Sequence, residues 1–145
     1  MKFVNDVYTS TFKDCVSHTS KTHGYTLPED IEAYVAILLG SFVERTTFLP
    51  DKSFAEAYTK LSNRQSSNAK ELADVCLFVV GVFPTYGSRY GITKEYYANI
   101  GKASYDIASK SLNYNLFSQL CQHFDIVTHI IMLSTTPPKH TSRIY

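Results

Sequence analysis

The stretch from Glu71 to Pro84, Glu-Leu-Ala-Asp-Val-Cys-Leu-Phe-Val-Val-Gly-Val-Phe-Pro, leaves this chain little choice of architecture. Leu72, Val75, Cys76, Val79 and Phe83 recur at helical spacing and make one apolar stripe. Leu77, Phe78, Val80 and Val82 fill the remaining faces. A helix that is apolar all round has no side to give to water, so other elements must surround it. The run therefore reads as the central buried helix, over about residues 68–83, of an all-α domain.

The rest of the chain supplies the surroundings. From Phe3 to His18 the positions Phe3, Val4, Val7, Tyr8, Phe12, Cys15 and Val16 follow a three-four spacing, which predicts a helix. Thr19 to Tyr25, with His23-Gly24, reads as a loop. Thr26 and Glu29 have capping-box spacing, with Pro28 in the first turn, and open a second helix. Ile31, Tyr34, Val35, Leu38, Phe42 and Val43 give its inner stripe. Pro50-Asp51 opens a short helix carrying Phe54, Tyr58 and Leu61. Pro84 ends the central helix, because the residue before a proline avoids helical angles. Tyr86 to Gly91 is a loop with two glycines. Thr93 caps a helix to about Lys110, whose stripe of Tyr97, Gly101, Ser104 and Ala108 is small enough for a neighbour to approach closely. A last long helix is expected from Leu116 to Ser134. The expectation is one helical domain over residues 1–134, a bundle of about six helices, with residues 135–145 an extended or mobile tail around Pro137-Pro138.

Composition sets limits on partners and compartment. The 145 residues carry a formal net charge of +1, too small a field to point to nucleic acid or an anionic membrane. The longest apolar runs, Ala33 to Gly40 and Val75 to Phe83, fall short of the ~20 residues of a membrane span. Asn5 and Asp6 interrupt the only hydrophobic patch near the start, which leaves no signal-peptide core. Cys15, Cys76 and Cys121 are an odd number and widely spaced, as buried reduced thiols of a cytoplasmic protein would be.

The block Leu72-x-Asp74-x-x-Leu77-Phe78-x-x-Gly81-x-Phe83-Pro84, followed by Tyr96-Tyr97, Gly101 and Tyr105, resembles a run in small uncharacterised bacterial all-helical proteins. The resemblance covers the middle third of the chain. It implies a helical fold and a bacterial cytoplasmic origin, and carries over no activity, cofactor, partner or catalytic residue.

Several chemistries are set aside on spacing. His123 and His129 are six residues apart, about 120° around a helix. Cys121, Asp125 and His129 share one line, but Cys121 and His129 lie about 12 Å apart along the axis. No Cys-x-x-Cys or His-Glu-x-x-His pattern is present. Neither a metal nor any other cofactor is expected. Cys15 and His18 sit i, i+3, yet Cys15 belongs to the inner stripe, so a buried thiol is preferred to a nucleophile. Gly87-x-x-x-Gly91 lacks the lysine of a phosphate loop. No catalytic residue is assigned.

Tyr86, Arg89, Tyr90, Lys94, Tyr96 and Tyr97 form the most distinctive candidate surface. Tyrosine and arginine are enriched where protein partners meet, because they bring large rigid area with a polar tip. The plainer alternative is tyrosines with rings on the core and hydroxyls in water. The leading expectation is a non-enzymatic interaction or adaptor domain, binding another protein or a second copy through this face. The alternative is a small-ligand or sensory domain with a cavity between helices, and an enzyme without a recognisable motif stays open behind both. Asp74, at the edge of the apolar helix, needs a partner. Arg89 is its expected cation and Arg64 the runner-up.

Overall fold

The computed structural model describes residues 2–43, 66–110 and 112–135, with the side chains of residues 2–7, 43, 66, 67 and 89 left aside. The short helix expected from Pro50, the alternative cation Arg64 and the tail beyond Thr135 lie outside the described residues. The described elements are α1 (Lys2–Thr22), α2 (Glu29–Val43), α3 (Ser66–Val82), a 3-10 turn (Ser88–Tyr90), α4 (Lys94–Ser109), α5 (Tyr114–Gln122) and α6 (Phe124–Thr135). No strand occurs among them, and the all-α bundle expected from the periodicity is what forms.

Helix α3 is the centre. Leu72, Ala73, Asp74, Val75, Cys76 and Leu77 are buried without a break, a run longer than one turn, so every face of the helix is covered there. It packs most extensively on α4 and then on α6, while α2 reaches it through the stacked rings of Phe42 and Phe78, 4.3 Å apart. The small stripe on α4 does what its residue sizes imply. A Cβ on Gly101 would lie 2.6 Å from the Phe124 ring and 2.9 Å from the Cys76 Cβ, so only glycine lets these helices meet. Ser104 and Ala108 continue that buried face.

Three expectations are corrected. Helix α1 runs on to Thr22 rather than ending at His18. Its end is a Schellman turn: the Tyr25 N–H donates to the Ser20 carbonyl (2.8 Å) and the Gly24 N–H to that of Lys21 (3.2 Å), with Gly24 at φ +77. The Ser20 hydroxyl, counted among polar loop residues, is buried and donates to the Tyr25 carbonyl. Helix α2 starts at Glu29, where the Pro28 carbonyl takes the first bonds, two residues later than the Thr26–Glu29 spacing implies.

The last helix is the third correction, for it is two. His123, at φ −100 and ψ 16, closes α5 by donating to Gln119, and its own carbonyl then accepts from Val127 to begin α6. The reason is in the neighbours: α5 lies chiefly on α4, whereas α6 lies on α3 and α1. The break lets both parts bury their inner residues, Phe117 and Leu120 on one side and Phe124, Val127 and Ile131 on the other. Of the three cysteines, all free, Cys76 alone is fully buried; Cys15 and Cys121 are half-buried.

Candidate functional site

The tyrosine-rich surface is built on the exit from α3. Pro84 stops that helix at Val82, and the chain folds back through consecutive tight turns, Tyr86 N–H to the Phe83 carbonyl and Ser88 N–H to that of Thr85. Both Tyr90 and Ile92 then donate to the Gly87 carbonyl at 3.0 Å, and Gly91 closes the 3-10 turn at φ +75. A Cβ on Gly87 would collide with the Tyr97 hydroxyl, so the loop lies directly on that ring.

Tyr97 itself is only 5% exposed. It is the floor rather than the face. The Tyr86 ring stands edge-on to it at 5.6 Å and the Tyr96 ring at 5.2 Å, one from the loop and one from the first turn of α4. Tyr86 (39% exposed) and Tyr96 (36%) open to solvent around this buried ring, and Tyr90 (74%) is exposed on the 3-10 turn, with Lys94 and Glu95 exposed at the start of α4. Burial, then the neighbouring Tyr86 and Tyr96 hydroxyls, push the Tyr97 phenol above its ordinary range, so it stays neutral. Arg89 contributes backbone to the 3-10 turn; its side chain lies outside the described residues.

Next to this face, α4 and α6 diverge over a groove of about 300 Å³. Val80, Ala98 and Met132 contribute apolar lining, and Lys94, Asn99 and His129 polar lining. Lys102 and Asp125, which also line it, form an ion pair at 2.9 Å between the two helices. His129 turns its ring edge to Tyr25 at 5.9 Å. Asp125 and His129 are thus drawn to different neighbours, and no group of three metal-ligating residues occurs among the described residues.

The strongest polar constellation is elsewhere, in the core. Asp74, 6% exposed, accepts from the Tyr105 hydroxyl (2.6 Å) and the Tyr34 hydroxyl (2.7 Å) on Oδ1, and from Lys70 Nζ (2.8 Å) on Oδ2. Three helices meet at one carboxylate. Lys70 also stands 5.6 Å from the centre of the Tyr34 ring. Burial first, then the Asp74 charge, lift both phenols far above the usual tyrosine range. Burial likewise raises the Cys76 thiol well above the thiolate range, so it is no nucleophile.

The sequence marks Asp74 as a carboxylate in need of a partner, and a partner set is present. Lys70 was within reach of sequence reasoning, one turn back on the same helix. Tyr34 and Tyr105 were not, being 40 and 31 residues away along the chain. No family model matches the chain, and no match is found among curated proteins or solved structures.

Proposed function

We propose that this chain is a non-enzymatic interaction domain that docks another protein, or a second copy of itself, on the Tyr86–Tyr90–Tyr96 face. One observation carries the reading. Two partly exposed tyrosines, Tyr86 from the loop and Tyr96 from α4, pack on a buried third, with Tyr90 exposed on the 3-10 turn that bonds to Gly87, so the surface is held in shape before any partner arrives. Preformed aromatic area loses little side-chain freedom on docking, which is why tyrosine dominates such contacts. Lys94, exposed at the start of α4, supplies a polar rim. The three free thiols and the resemblance to small bacterial helical proteins support a cytoplasmic setting.

The test is sedimentation velocity over a wide concentration range, run beside affinity capture with the wild-type chain and a Tyr86→Ala/Tyr90→Ala variant as baits. The reading expects a self-association or a specific captured partner that weakens at least thirty-fold in the variant, about 2 kcal/mol. An association of equal strength in both would place the interface elsewhere.

The groove between α4 and α6 favours a second reading, a small-ligand domain. It combines apolar lining with cations, carboxylates and an imidazole, the mixture that orients small polar ligands. Native mass spectrometry of protein purified without denaturation separates the two readings, since only the ligand domain retains a stoichiometric small molecule that Lys102→Ala releases.

A further inference from the structure

The helices do not share their interfaces evenly. α1 and α2 pack mainly on one another, α1 otherwise touching α6 and α2 touching α5. The remaining large interfaces join α3 with α4, α4 with α5 and α3 with α6. The turn between α1 and α2 is closed by its Schellman bonds and the Ser20–Tyr25 contact, so the two helices form a hairpin with its own fixed corner.

Against α3 the described part of that hairpin sets Tyr34, whose hydroxyl donates to Asp74 and whose ring lies 5.6 Å from Lys70 Nζ, together with the Phe42–Phe78 stack. The other two donors to Asp74 do not belong to the hairpin: Lys70 is on α3 and Tyr105 on α4. This division matters. Removing the partner of a buried charge is severe when the charge is left bare. If the hairpin leaves, the carboxylate keeps Lys70 on one oxygen and Tyr105 on the other, and water can take the place of Tyr34. The cluster is satisfied with the hairpin closed and still satisfied with it open.

We infer that the α1–α2 hairpin is a separately opening unit of this fold, and that the Tyr34–Asp74 hydrogen bond is the latch holding it against α3. The opening is a sub-global event below complete unfolding, of the kind that contiguous helical units undergo. Tyr105 has the same chemistry and the same acceptor but lies inside the α3–α6 body, where its loss loosens the body itself.

Native-state hydrogen exchange on the full chain, read by peptide mass spectrometry, tests this. The wild-type chain should exchange α1 and α2 together and faster than the slowest amides of α3 and α4. Tyr34→Phe keeps the ring and removes only the hydroxyl, so the chain still folds. It should speed α1 and α2 about ten-fold or more, the size expected for one hydrogen bond to a charged acceptor, and the slowest α3 and α4 amides by the same factor, because complete unfolding breaks that bond too. Tyr105→Phe should instead speed only the slowest α3 and α4 amides and leave α1 and α2 unchanged, because its bond to Asp74 is kept when the hairpin opens. Two outcomes overturn the inference: Tyr105→Phe accelerating α1 and α2 by the same factor as α3 and α4, which would make the fold a single cooperative unit, or Tyr34→Phe accelerating no helix, which would make the bond no latch.

Discussion

At Asp74 a carboxylate inside the core is held by two phenols and one ammonium, and the unequal burial of those donors ranks what each is worth. The Lys70 side chain is 38% exposed, so the ion pair is screened and Lys70→Met should cost about 1 kcal/mol or less. Asp74→Ala is different, because it strands the Tyr105 hydroxyl where no water reaches and removes the acceptor for Tyr34 as well. It should cost on the order of 3 kcal/mol. Urea titration of both variants checks the order; an Asp74→Ala loss no larger than that of Lys70→Met would mean the phenols contribute nothing. The same cluster sets an alkaline limit. Tyr34 and Tyr105 keep their protons in the folded chain where an unfolded tyrosine, at its ordinary 10.0, releases them. The unfolded state then binds fewer protons, so this contribution is fully present below about pH 10 and falls above it, by about 1.4 kcal/mol per pH unit for each phenol. Cys76, raised from 9.0, adds to the fall from a little lower pH. Tyr105→Phe should make the alkaline decline shallower by about one proton, and an unchanged slope would show that the Tyr105 hydroxyl does not hold its proton this way.

Among the elements, helix identity was legible wherever the apolar period was strong. The apolar run of α3 announced its own burial, Pro84 its end, and the small stripe of α4 its close neighbour. What escaped was punctuation written in geometry rather than in residue type. Nothing at His123 is a glycine or a proline, so the apolar pattern runs through the break, and only the different neighbours of α5 and α6 explain it. At Gly24 the signal was present, but a left-handed glycine served equally for a loop or for a helix end. Of the tyrosine face, composition located the segment and the period of α4 put Tyr97 on the inner stripe with Gly101, Ser104 and Ala108, where it is buried, although the same residue also counts among the six of the candidate surface. The polar core was legible at one residue, Asp74, and its tyrosine donors were not, because nothing local ties Tyr34 or Tyr105 to it. The α3–α4 approach gives a prediction at this scale. Gly101→Ala gains up to about 1 kcal/mol of helix propensity but drives a methyl into the Phe124 ring and the Cys76 Cβ, an overpacking of about 1–3 kcal/mol. The net should be a lower melting temperature in a thermal scan. A higher one would mean the α3–α4–α6 junction yields easily.

For the molecule as a whole, no described helix is long and apolar enough to cross a membrane, and a formal charge of +1 supplies no field to gather an anionic partner. On the reading proposed above, recognition rests on shape and local chemistry, with Tyr86 and Tyr96 on the buried Tyr97 supplying the rigid aromatic area of the docking face. Tyr114, 69% exposed at the start of α5, is an exposed tyrosine outside that face and serves as the control. The most direct measurement replaces Tyr90, and separately Tyr114, with the photo-crosslinking residue p-benzoylphenylalanine and irradiates living cells. The account predicts a discrete crosslinked species of defined mass from position 90, lost when Tyr86→Ala is added, and none from position 114. No discrete product at position 90, or the same products from both positions, would contradict it.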